Sequence, residues 1–196
     1  MKYLKTILKE NKLTMKLKPS LFFLCMSFMS FTYSQNVTFD QVQNLRKKSI
    51  DEVEIFLTQR GWKMTDASNE TSDKLGSATF GYNIDMFDSE KANSWITFYE
   101  NSNNAIKNRI SIQITQAKIY SAFLARLSAN LYKMKSSQIE DGRIIKVYQS
   151  KSTTCVVKTF TSEGVYSKST AYSFFFIDNL SYTLNYESES SQEEVD

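Results

Sequence analysis

Phe56–Asp66 reads FLTQRGWKMTD, and Leu127–Ser137 reads LSANLYKMKSS, with their Lys-Met pairs seventy residues apart. Each leaves the apolar stripe of a helix, passes an aromatic, reaches Lys-Met and ends in polar residues. How the chain around these two stretches is read decides the fold. Before the first, Ser49-Ile50-Asp51-Glu52 fits a capping box, in which serine and glutamate satisfy each other's backbone amides. The helix it predicts sets Ile50, Val53, Phe56 and Leu57 on one face. Asp51, Glu52 and Glu54 fall in its first turn, where the helix dipole favours acids. Gly61 is the expected stop. Thr38–Gln41 fits a second capping box and predicts a short separate helix through Leu45. Before the second stretch, residues 116–131 predict a helix with Tyr120, Phe123, Leu124, Leu127 and Leu131 on its apolar stripe.

After each stretch the period changes from helical to alternating. WKMTD is strand-like and precedes a polar loop over 67–77. ATFGYNI places Phe80, Tyr82 and Ile84 on one side, and SWITFYE follows. RISIQIT then alternates cleanly, with Ile110, Ile112 and Ile114 facing one way, as a sheet covered on one face requires. In the second half, YKMKS, RIIKVYQ, TTCVVKTF and AYSFFFID read as strands, SYTLNY as a further one, and SQIEDGR as a turn. The fold class expected is α+β: two tandem helix-plus-four-strand repeats, forming one antiparallel sheet of roughly eight strands with helices packed on one face. The division expected is 1–34 as a signal peptide with a basic extension, 35–115 and 116–186 as the two repeats, and 187–196 as an acidic, apolar-poor disordered tail. The helix-then-meander order resembles the repeats of some secreted bacterial inhibitor proteins. No motif is shared with them, and no residue is carried over.

The leader is read from MKLKPSLFFLCMSFMSFTYSQN, which begins at Met15. Six lysines precede an apolar run from Leu21 to Phe31, which is shorter than the roughly 20 residues a bilayer-spanning helix needs. Basic, then apolar, then small is the secretory pattern, with Thr32 and Ser34 at the −3 and −1 positions of a cut near Gln35. Either Met1 or Met15 can serve as the start. Cys25 follows Leu24, where a lipidated cysteine normally follows a small residue. The expected location is extracytoplasmic, periplasm or medium, with no integral membrane span after cleavage.

Composition narrows the chemistry. The chain carries 24 basic and 21 acidic residues, and removing residues 1–34 leaves 18 and 20, a net charge of −2. Nucleic-acid binding needs clustered positive charge, so no nucleic-acid partner is expected. There is no histidine, which excludes Ser-His and Cys-His dyads and His-ligated metals. After cleavage only Cys155 remains, in a β-rich run where a free thiol packs as a small hydrophobe. Asp85, Asp88, Glu90 and Glu100 cluster in sequence around the second and third strands, and paired carboxylates are the one catalytic route left. They lie largely in the polar connector DMFDSEKANS, where charges are ordinarily just solvated. No enzyme, cofactor or metal is expected.

A site is expected where alternation should put a polar residue outward and does not. In SWITFYE, Trp95, Thr97 and Tyr99 face away from the core positions Ile96 and Phe98. In YSFFFID, Phe175 and Ile177 face away from Phe174 and Phe176, and Tyr148 joins them in one register. Trp95, Tyr99 and Phe175 are the candidate binding residues, because aromatics dominate interface energetics. The function expected is an exported, non-catalytic binding or protein-interaction module, with another envelope or secreted protein as partner. The alternative is a structural or lipid-associated cell-envelope protein.

Overall fold

The structure, a computed structural model, describes residues 37–72, 74–100, 108–163 and 168–187. The chain separates into two units, Met1–Ser34 and Gln35–Asp196, and every described residue belongs to the second. The expected signal peptide, and the expected tail beyond Glu187, lie outside the described residues.

Two short helices open the fold, α1 (Phe39–Leu45) and α2 (Ile50–Thr58). Both capping boxes form: Thr38 and Gln41 bond reciprocally, as do Ser49 and Glu52. Four strands follow, β1 (Trp62–Ser68), β2 (Gly76–Ile84), β3 (Ala92–Glu100) and β4 (Arg109–Ile114). Helix α3 (Ala117–Ala129) precedes β5 (Lys133–Glu140), β6 (Arg143–Gln149), β7 (Thr153–Glu163) and β8 (Lys168–Asp178). A single helical turn, α4 (Asn179–Tyr182), runs into a π turn over Thr183–Glu187. The eight strands form one antiparallel sheet in the order β1-β2-β3-β4-β8-β7-β6-β5. Neighbours are hairpins except at the centre, where β4 pairs with β8 through Ile112↔Phe174 and Ile110↔Phe176. The chain is therefore α+β, with most of its helix and strand residues in the sheet.

Alternation sorts the strands into an apolar face and an opposite face. The apolar face carries Phe80, Ile96, Phe98, Ile110, Ile112, Phe174, Phe176, Cys155 and Val157, all essentially without solvent contact. Val42, Leu45, Val53, Leu57, Phe123 and Leu127 from the helices belong to the same buried cluster. Phe39 meets both Phe123 and Phe176 edge-on at 5.6 Å, and Tyr120 stacks on Tyr172 at 4.1 Å. Burying one such ring contributes about 1.5–3 kcal/mol, so this cluster is the main source of stability.

Several expectations are corrected. Ile84 does not share a side with Phe80 and Tyr82. Asn83 adopts φ 51°, which turns the strand end over and brings Ile84 beside Trp95, across Gly81. SYTLNY is not a strand: Asp178 accepts from the Ser181 amide at 2.8 Å and starts α4. Both sides of β8 are already paired, with β4 and β7, so no ladder partner was left for it. The turn in SQIEDGR is only Asp141-Gly142, both at positive φ, and Ser137–Glu140 continue β5. A two-residue turn of this kind matches the twist of the flanking strands. Leu131 leaves the apolar stripe, because the helix ends at Ala129 and Leu131 sits at φ 60°, 80% exposed. The polar loop is shorter than expected, since β1 runs to Ser68 and β2 starts at Gly76.

Candidate functional site

The face opposite the core differs between its two halves. On β2–β4 its middle row is polar, with Thr79 and Thr97 sharing a hydrogen bond at 3.2 Å and Ser111 next in the row. Across the centre that row continues into Phe175, Val156 and Val147. Ile145 lies beside them one row along, opposite Lys158. Period-2 alternation alone would have placed polar residues at these positions, and apolar ones stand there instead.

Over this half lies a cavity of about 950 Å³. Its floor is Ile145, Val147, Val156 and Phe175. Tyr99 approaches Phe175 edge-on with centroids 6.3 Å apart, and Tyr186 does so at 6.4 Å. Tyr182 stacks on Tyr186 at 5.5 Å, so four aromatics form one chain along the cavity. Helix α4 and the turn after it put the last two there, and the Asp178 cap fixes where that turn begins. Burial pushes the Tyr99 hydroxyl pKa up, Tyr186 adds to the rise, and Arg109 opposes it.

Arg109, Lys135, Lys158 and Glu140 give the lining three cations and one carboxylate. Arg109 stands opposite Tyr99 in the ladder, and its Nε is buried without a hydrogen-bond partner among the described residues. With Arg109, Lys135 and Lys158 in the lining against the single carboxylate of Glu140, the cavity suits an anionic or carbonyl acceptor. The lining thus combines a broad apolar floor with a few convergent polar groups, the usual make-up of a binding pocket.

Of the three candidate residues, the structure brings Tyr99 and Phe175 together, both half-buried, and leaves Trp95 elsewhere. Trp95 lies over Gly81 beside Ile84, outside the cavity lining. Ile177 falls on the expected face but is fully buried, at 0% exposure. Tyr148 is on the core side, opposite Cys155. Tyr182 and Tyr186 were hidden by the strand reading of SYTLNY. An Asp at the end of β8 with Ser three residues on was the capping signal that could have found them. Three of the four grouped carboxylates hold structure. Asp85 and Asp88 accept backbone amides of Phe87 and Glu90 within their loop, and Glu100 accepts from the Ile50 amide at 3.1 Å.

No protein-family model, curated protein or solved structure matches the chain.

Proposed function

We propose that this chain is an exported, non-catalytic interaction module that holds a partner against the cavity on the open half of its sheet. The observation that carries this reading is the floor of Ile145, Val147, Val156 and Phe175, apolar where a solvated face would be polar, with Tyr99, Tyr186 and Tyr182 continuing from Phe175 along the cavity. Ile145, Val147 and Val156 keep only 6–9% of their surface exposed and Phe175 is half-buried, so the floor is the recessed apolar base of a pocket ringed by a few polar and charged groups. The open groove and its polar rim suit another envelope or secreted protein better than a fully enclosed lipid. Export rests on the leader pattern, and the first described residue, Val37, is already buried in the core, two positions after the expected cut.

The module is built, on this reading, from two copies of one helix-plus-four-strand unit. Both outer strands carry a bulge at the same step, between Met64 and Asp66 and between Met134 and Ser136. Gly61 and Leu131 both end a helix at positive φ, and Val53 and Leu57 match the buried Phe123 and Leu127. From the bulges inward, Phe80↔Ile96↔Ile112 corresponds to Tyr148↔Cys155↔Phe176. Exchanging the halves would then interconvert the central pairs Ile112↔Phe174 and Ile110↔Phe176, leaving Ser111↔Phe175 on the axis. The helix rings that reach the sheet touch Tyr172, Phe174 and Phe176, which supports helices packed on one face. The cavity breaks the symmetry: Ser77 and Thr79 correspond to Ile145 and Val147.

The test is native mass spectrometry of the protein purified gently from its own host envelope, beside a Lys158→Glu, Phe175→Asp variant. The expected result is a species of the mass of Gln35–Asp196 carrying a protein partner, with the partner missing from the variant. A lipid on Cys25, or a partner retained equally by the variant, would favour the tethered envelope role instead.

A further inference from the structure

One feature of the described surface is left without a role by the cavity. The β2–β3 hairpin ends in Asp85-Met86-Phe87-Asp88, with Met86 87% and Phe87 93% exposed. Two adjacent large apolar side chains in full solvent contact are unfavourable relative to burial. The loop holds them there firmly. The Asp85 amide donates to the Lys91 carbonyl at 2.7 Å, and the Lys91 amide to the Asp88 carbonyl at 2.9 Å. The Phe87 amide donates to Asp85 Oδ1 at 2.7 Å, and Lys91 Nζ pairs with Asp88 Oδ2 at 2.8 Å. A tip already ordered in this way loses little freedom on docking.

We propose that this hairpin tip docks into the open-face cavity of a second copy of the chain, head to tail. The chemistry of the two surfaces is complementary. The tip offers two apolar side chains among Asp85, Asp88, Glu90 and one lysine. The cavity offers an apolar floor among Arg109, Lys135, Lys158 and one glutamate. A net-negative tip is repelled by anionic bilayer surfaces, and opposed charge steers it to a basic rim. The tip cannot serve its own cavity. It projects from the Ala92 end of β3, while Tyr99 borders the cavity seven residues along the same strand, roughly 23 Å away at about 3.3 Å per residue. The floor lies several strands further across the sheet, and the hairpin points outward from it. Contact between copies is then the one way to meet the cavity, and because tip and cavity are different surfaces the interface is heterologous and builds open chains unless the rotation between copies closes a ring.

This inference rests on the cavity being a binding surface and adds who fills it. Sedimentation velocity on the protein from its own host is the test, run from micromolar to near-millimolar concentration in low and high salt. The wild type is expected to form a concentration-dependent series of oligomers that shrinks in high salt, as rim charges are screened within about 10 Å. Met86→Ser with Phe87→Ser on the tip, and Lys135→Glu with Lys158→Glu on the rim, should each weaken association at least about tenfold. All four positions are exposed, so both variants should remain folded, which circular dichroism checks. The decisive sample is the equimolar mixture. The tip variant keeps its cavity and the rim variant keeps its tip, so the mixture should give a one-to-one dimer and nothing larger. A wild type that stays monomeric throughout, or a mixture no different from its components, overturns the proposal. The loss of a partner from the cavity variant in native mass spectrometry is a separate readout, so self-docking can fail while the cavity keeps its role.

Discussion

Leu131 and Gly61 end their helices in the same left-handed conformation, at φ 60° and 80°, with opposite consequences. That region crowds the Cβ of an L-residue against the backbone and costs about 1–2 kcal/mol, while glycine enters it freely. Leu131→Gly should therefore raise stability by about 0.5–1 kcal/mol, the extra freedom of unfolded glycine taking back part of the gain. Gly61→Ala should lower it by about 1 kcal/mol. Space plays no part at Gly61, since the nearest atom to an added Cβ is Tyr82 Cε2 at 3.9 Å. Urea midpoints at unchanged slope measure both, and shifts of the same sign would refute the conformational account. Gly81 is a different case. A Cβ there would lie 2.8 Å from Trp95 Cζ3 and from Ile84 Cγ1, closer than packing allows. Gly81→Ala should cost about 1–3 kcal/mol as overpacking and shift the Trp95 emission. A Trp62→Phe background isolates that signal, and an unmoved spectrum would mean the ring does not rest on Gly81.

At the level of elements, legibility followed how far each segment's local signal agreed with its surroundings. RISIQI could be read directly, because β4 is flanked by strands on both sides and covered on one face. Both capping boxes were equally plain, since serine or threonine and the residue three later fix a helix start without help from the rest of the chain. Ile84 was misread because one asparagine at positive φ reverses sidedness, which alternation cannot register. SYTLNY failed because its aromatics suit a strand while topology left β8 no free side. Half the aromatic chain at the site went unread with it. The edges obey a further rule that no local pattern states. β1 and β5 are the two outer strands, and each is bulged in the same place. A bulge twists an edge out of the flat geometry that another strand would pair with. Deleting Lys135 would restore a continuous ladder from Met134↔Tyr148 to Ser136↔Val147 without flipping any side chain. The variant should fold and then associate through β5, gaining thioflavin binding and losing solubility on storage. If it stays as soluble as the parent, the bulge serves the cavity rim and not the edge.

Across the whole molecule, the two halves are joined by a buried polar cluster as well as by the β4–β8 ladder. Arg46 caps α1, donates from Nε to the Asn108 carbonyl at 3.1 Å and from Nη1 to Thr153 Oγ1 at 3.3 Å. Its field also reaches Tyr132, Cys155 and Asp178, and burial lowers its own pKa. Burial pushes the Cys155 thiol well above its usual range, with Arg46 opposing, and pushes the Tyr132 hydroxyl up as well. Burial would raise Asp178 too, but hydrogen bonds from Ser181 and the charge of Arg46 outweigh it and hold the carboxyl low. The signs then set both limbs of the pH profile. Asp178, lowered on folding, contributes stability above its unfolded pKa of about 3.9, lost as pH falls through the folded value. Cys155 and Tyr132, raised on folding, contribute stability present below their unfolded values of about 8.5 and 10, lost as pH climbs past them. Maximal stability should therefore span the neutral range and fall on both sides. Cys155→Ala should be less stable at neutral pH, because it leaves a small void, yet should lose less between pH 8 and pH 10 than the parent. A maleimide reagent should label Cys155 in the parent only as fast as the chain unfolds, since its side chain has no solvent exposure. Rapid labelling under native conditions, or an alkaline limb left unchanged by Cys155→Ala, would show that the thiol does not share the buried cluster with Arg46.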